Sequence, residues 1–259
     1  MTGPSLRIDW RARTDRGSVR ALNEDRYIGI TEANVWAVAD GMGGHDHGDW
    51  ASERIVAAIE AITPEDDFDA MFQACADAVH AANAEIFDTS QANGARMGST
   101  VVGLVIAERR FAVLWAGDSR AYLLRDQMLV QLTRDHTQVQ ALIDRGLLSP
   151  EEAKTHPMSH VLAKAVGVEP TLEIDAIADT VAPGDIFLLC SDGLYGTLSE
   201  DEIKAILGTG TPADAAEQLV ARCLEIGARD NVTVVVVHAR EPTRLVFAPS
   251  GGLPGEGLQ

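Results

Sequence analysis

With 259 residues, 46% of them hydrophobic, the chain can bury a full core and sits at the upper end of what one domain usually holds. Its 21 Lys and Arg against 39 Asp and Glu leave a net charge of −18, which repels nucleic acid and anionic membrane alike, so neither is an expected partner. Three cysteines without CxxC spacing argue against a disulfide framework or a thiolate zinc site, and no apolar run approaches the ~20 residues of a membrane span; a monomer of the reducing cytoplasm with no membrane insertion is expected.

In chain order, Arg11 to Asn23 reads as polar and charged, with no element assigned to it. Arg26 to Ile30 predicts a short strand that turns at Thr31 to Asn34 into a second, Val35 to Ala39. Arg20, Asn23, Glu24 and Asp25 cluster at the entrance of this pair, a pattern that equally describes a solvated charged loop. The second strand delivers Asp40 into a loop with glycines at 41, 43, 44 and 48. A carboxylate beside an accessible carbonyl is a hard-oxygen corner suited to Mg²⁺ or Mn²⁺. The loop lacks the Lys of a P-loop, and Asp46 breaks the GxGxxG pattern counted from Gly41. By itself the stretch also reads as a glycine-rich turn with a surface Asp.

Ile55, Ala58, Ile59 and Ile62, then Phe68, Met71, Phe72, Cys75, Val79 and Ile86, repeat at helical spacing and predict two amphipathic helices. From Ser99 the period becomes two, and four β-rich runs over 99–107, 110–116, 121–124 and 129–132 form an antiparallel meander. Residues 135–167 form a mixed, comparatively basic segment with short helices, read as a flap or as a solvated excursion. A second buried strand, Asp185 to Cys190, ends at Ser191-Asp192-Gly193, so the Asp-Gly ending recurs. Ser199 with Glu202 and Thr211 with Pro212 start two more helices, and Asp230-Asn231 opens a valine-rich strand to His238, placed centrally in its sheet. Residues 1–240 are expected as a single domain and 241–259 as a disordered tail.

Asp40, Asp192 and Asp230 thus each lie at the edge of a predicted buried strand. If these strands are neighbours the three carboxylates converge, and such crowding is costly without a cation, which points to a divalent metal. His45 and His47 do not make a zinc site, because third and fourth ligands are missing.

The ordered motifs RALNED (20–25), DGMGGH (40–45), GST (98–100), GDSR (117–120), SDGL (191–194) and DNVT (230–233) resemble those of the protein phosphatase 2C family, the metal-dependent serine/threonine phosphatases, and most of all its bacterial branch. The resemblance implies an α+β, four-layer sandwich of two antiparallel β-sheets flanked by α-helix pairs. It also implies two Mn²⁺ or Mg²⁺ ions that activate a water for attack at phosphorus. By position, Asp40 resembles the carboxylate shared by both ions, the Gly41 carbonyl a ligand of one, and Asp192 and Asp230 ligands of the other. Glu24 and Asp25 match supporting acids, Arg20 a phosphate-binding residue, and Asp118 an acid that with Asp192 holds a third, weaker ion. Implied partners are phosphorylated proteins, a Ser/Thr kinase or its substrate, with some likeness to phosphatases associated with type VI secretion. Met42 stands where eukaryotic members carry a histidine, so the leaving-group acid is open among His45, His47, His136 and water. A catalytically silent binding module is the rival reading; such a chain should lack a metal ligand, and every acid is in place here.

Overall fold

Residues 6–43, 47–153 and 156–242 are described in a computed structural model of the chain. The first half runs β1 (Arg7–Asp15), β2 (Asp25–Ile30), β3 (Val35–Met42), α1 (Gly48–Glu60), α2 (Phe68–Asn93), β4 (Gly98–Ser99), β5 (Val101–Ala107) and β6 (Arg110–Ala116). It continues through β7 (Arg120–Arg125), β8 (Met128–Gln131), α3 (Gln138–Asp144), α4 (Pro150–Ala153), β9 (Asp175–Thr180), β10 (Ile186–Cys190), α5 (Asp192–Tyr195), α6 (Glu200–Leu207), α7 (Pro212–Ile226) and β11 (Val232–Arg240).

Two antiparallel sheets result, one ordered β1-β11-β10-β7-β8, the other β2-β3-β5-β6-β9 with β4 beside β3. Strand alternation sorts the side chains into layers. Trp36, Val38, Leu104, Phe111, Phe187, Leu189, Val235 and Val237 fill the space between the sheets. Their strand neighbours Val35, Ala37 and Ala39 face α1 and α2, while Val232, Val234 and Val236 face α5, α6 and α7. Both faces of β3, β10 and β11 are therefore covered, which is why those strands read as near-continuous apolar runs. The expected α+β sandwich with flanking helix pairs is present, with β11 inside its sheet as expected. Ser199 and Thr211 each close a capping box at the start of α6 and α7.

The structure adds two strands and splits the expected run over 99–107 into β4 and β5. Arg7–Asp15, part of which was read as unassigned polar chain, is an edge strand paired along its whole length with β11. Its half-buried Ile8, Trp10 and Ala12 lie against the inter-sheet core and alternate with charged residues. Strand β9 is exposed at every position and pairs only through its backbone with β6, so no hydrophobic pattern announces it. Asp40 lies within β3 and not beyond its end, because β4 extends the pairing to Met42. Cys75, Cys190 and Cys223 are buried thiols without disulfide partners. Among the described residues no helix is long and apolar enough to cross a membrane. His45 and all but the first two residues of the expected tail lie outside the described residues.

Candidate active site

Strand ends from both sheets meet at one edge of the sandwich. From the β2–β3 sheet, register sets Asp25 directly opposite Asp40. The Asp40 peptide is gripped at both ends: its N–H donates to Thr100 Oγ1 at 3.2 Å, and its carbonyl accepts from Ser99 Oγ and Thr100 N at 2.9 Å each. Gly41 N donates to the Glu24 carbonyl at 3.1 Å, and a Cβ on Gly41 would run into the Gly48 carbonyl at the start of α1. This close approach requires glycine. It also places the Gly48 N–H at the Glu24 carboxylate, which it favours in the charged form.

From the other sheet come Asp192, the first residue of α5 after β10, and Asp230 just before β11. Ser191 binds the two sheets together here: its hydroxyl donates to Asp25 Oδ2 at 2.7 Å and accepts from Thr233 N at 3.0 Å. Asn231 ties in the loop that carries Arg20 and Glu24. Its Oδ1 accepts from Glu24 N at 2.8 Å, and its Nδ2 donates to the Arg16 and Leu22 carbonyls at 2.9 Å each. Arg20 itself donates to Asp230 Oδ2 at 2.6 Å, with both side chains partly open to solvent. Asp118 lies in the loop that crosses from β6 in one sheet to β7 in the other.

These acids oppose one another's ionisation. Asp40 keeps a small accessible face, yet burial and then Asp25, Asp192, Asp118 and Asp230 hold its carboxyl well above the ordinary range. Burial and its acidic neighbours likewise push Asp25 up to about 7, against the opposing bonds from Ser191 and Thr233. Asp118 rises to about 7 through burial, Asp192 and Asp135, and Asp192 to about 6 through burial and Asp230. Burial also raises Glu24, opposed by Arg20.

Two buried carboxylate oxygens, Glu24 Oε1 and Asp25 Oδ1, have no hydrogen-bond partner. Orphaned oxygens inside an all-oxygen, mutually repelling donor set fit hard divalent cations. No group of three His, Cys, Asp or Glu side chains among the described residues is gathered tightly enough to cage an ion by itself. That is compatible with Mg²⁺-type sites, which use few carboxylates and complete their shell with carbonyls and water.

His136 is largely buried. Its Nδ1 accepts from Gly117 N at 3.1 Å, its Nε2 lies 3.3 Å from Asp175, and its ring stacks on Trp115. Burial, followed by Lys164, lowers its pKa. His47 sits at the N-cap of α1 without a capping bond. Gly48, Ser191, Asn231 and Tyr195 were given no role at the sequence level. Ser191 and Asn231 stand inside the quoted motifs and Gly48 in the glycine loop after Asp40, while Tyr195 carries no local signal.

The family model "Protein phosphatase 2C" matches residues 20–141. The serine/threonine protein phosphatase PstP of Mycobacterium tuberculosis is 39% identical over 242 residues, covering 91% of this chain and 46% of PstP, so the chain spans about half the length of that relative. A PstP catalytic domain crystallised with two manganese ions superposes with a TM-score of 0.82 at 36% identity, covering 92% of this chain and 100% of that one. PppA, described as a key regulatory component of T6SS in Pseudomonas aeruginosa, gives a TM-score of 0.84 at 38% identity, covering 90% and 97%. The serine/threonine phosphatase stp of Listeria monocytogenes is 35% identical over 240 residues, covering 87% of this chain and 94% of that protein. With motifs, sandwich and carboxylate cluster in agreement along nearly the whole chain, it belongs to the protein phosphatase 2C family.

Proposed function

We propose that the chain is a metal-dependent protein serine/threonine phosphatase whose active site is the carboxylate cluster at the edge of the sandwich. The observation that carries this reading is the convergence of carboxylates from both sheets around Asp40, where Asp25, Asp192, Asp118 and Asp230 all oppose its ionisation. Asp40, the Gly41 carbonyl, Asp192 and Asp230 would hold two Mn²⁺ or Mg²⁺ ions, with Glu24 and Asp25 supporting them through water and Asp118 joining Asp192 at a third, weaker ion. Bound divalent ions supply Lewis acidity at the phosphoryl group and an activated water.

The chain's own residues orient the reaction. Arg20, partly exposed beside Asp230, would take phosphoryl oxygens bidentately in this reading. The grip of Ser99 and Thr100 on the Asp40 peptide prevents that carboxylate from drifting. Phosphoserine and phosphothreonine proteins are the substrates in this reading, with a membrane-associated Ser/Thr kinase or its targets as partner. The likeness to PppA supports a type VI secretion-associated branch. A monomer in the cytoplasm, with one domain over 1–240 and a flap near 135–167, completes it.

The test is phosphate release from a phosphothreonine peptide, first with EDTA and then with Mn²⁺ or Mg²⁺. Activity only with metal is expected. A folded sample inactive with every metal would sink the reading and leave a silent binding module.

A further inference from the structure

Asp118 and Asp192 come from different structural units, and something has to set the distance between them. Asp192 rides on α5 at the end of β10, whereas Asp118 sits in a loop passing from one sheet to the other, so neither sheet's register fixes its place. Three bonds tie that loop to the β5 side and to the chain after β8. Ser119 Oγ and Thr100 Oγ1 are 2.6 Å apart, His136 Nδ1 accepts from Gly117 N at 3.1 Å, and His136 N donates to the Gly117 carbonyl at 2.9 Å. None of them reaches α5.

Tyr195 does. It lies three residues beyond Asp192, one turn along the same helix, and its hydroxyl donates to the Asp118 carbonyl at 2.9 Å. The ring cannot swing away easily. The Arg120 guanidinium covers it at 3.6 Å from the centroid, and Arg120 is itself clamped on Asp135 by bonds of 2.7 and 2.9 Å and on the Tyr122 hydroxyl at 3.0 Å.

We propose that Tyr195 is a positioning residue, a strut between Asp118 and the helix of Asp192 that sets the affinity for the third, weakest divalent ion. The inference rests on the third-ion reading given above. The strut needs the hydroxyl; the ring alone provides packing beneath Arg120.

The experiment is calorimetric titration of the full chain with Mn²⁺ alone, for the native sequence, Asp118→Asn and Tyr195→Phe. The native chain is expected to take up three ions, and Asp118→Asn to lose the weakest. Tyr195→Phe should keep the two tighter ions unchanged and weaken the third about fivefold, the effect of one neutral hydrogen bond. Its metal-free melting temperature should fall by no more than ~2–4 °C, the loss that about 1 kcal/mol for one hydrogen bond gives in a domain of this size. Arg120→Lys, which keeps the charge but loses the two-toothed grip on Asp135, should weaken the same ion. A third-ion affinity in Tyr195→Phe equal to native, or equal weakening of all ions, overturns the strut. Uptake unchanged in Asp118→Asn, or only two ions in the native chain, overturns the third-ion reading and the strut with it. Loss of an ion in Asp118→Asn with no change in Tyr195→Phe overturns the strut alone.

Discussion

Asp192 and Asn231 illustrate two ways in which one residue serves this site. Asp192 contributes charge: replaced by Asn it keeps its volume but loses the carboxylate, so Asp192→Asn should fold normally and lose at least about a hundredfold in phosphatase activity. Circular dichroism and phosphate release check this together, and retained activity would remove the metal assignment. Asn231 contributes geometry. Its amide makes three hydrogen bonds to backbone groups of residues 16–24, so Asn231→Ala leaves partly buried donors and acceptors unpaired and should cost about 2–3 kcal/mol in denaturant unfolding. A loss under ~0.5 kcal/mol, the range of neutral surface changes, would show that the loop is held by other means. The acids could be picked out from motif spacing because carboxylates at strand edges are unusual. Tyr195 could not, since a Tyr in a one-turn helix has no periodic or motif signal and gains its meaning only from the Asp118 carbonyl it meets.

At the scale of elements, the strands with both faces covered and the amphipathic helices were readable, since burial writes a pattern of apolar residues into them. Edge strands escape this logic. Strand β1 carries a weak alternation diluted by arginines, and β9 exposes every residue, so each is recognised only when its backbone finds a partner. The hairpin joining β7 and β8 holds a different lesson. Asp126 and Gln127 take φ values of +50 and +61, the left-handed turn that best matches strand twist but that favours glycine at its second position. Replacing Gln127 by Gly at this exposed tip should therefore stabilise the protein by roughly 0.5–1 kcal/mol, the strain relieved less the added chain entropy. A rise of ~2–4 °C in melting temperature is the corresponding upper expectation, and a fall would show that the Gln side chain contributes more than the strain costs.

Across the whole molecule the buried acids link stability to pH and to metal. In the metal-free protein burial and neighbouring acids push Asp25 and Asp118 up to about 7 and Asp192 up to about 6, all above the ordinary value of 3.8. A folded-state pKa raised above the unfolded one contributes stability that is complete below about pH 4 and is lost as pH rises through 6 to 7. With EDTA present, the melting temperature attributable to this cluster should therefore fall between pH 5 and pH 8. Mn²⁺ should restore stability most at the upper end of that window, where the acids are already charged, and at pH 6 its binding should release protons. Titration in two buffers of different ionisation enthalpy measures that release. A metal-induced rise in melting temperature that is the same at pH 5.5 and pH 8 would argue against these carboxylates as the ligands.

The amino-acid sequence by itself determined the layered α+β class, the covered strands and the helices with their caps, and it singled out the candidate acids, because burial periodicity, capping chemistry and motif spacing are all local in the chain. Tertiary structure decided what depends on residues far apart in sequence: the pairing of β1 with β11, the placement of Asp25 against Ser191, the anchoring of Glu24 by Asn231, and the span from Tyr195 to Asp118. Each of these is a contact between segments whose local patterns carry no information about one another, and only strand pairing within a sheet and the face-to-face packing of the two sheets bring them within hydrogen-bonding distance.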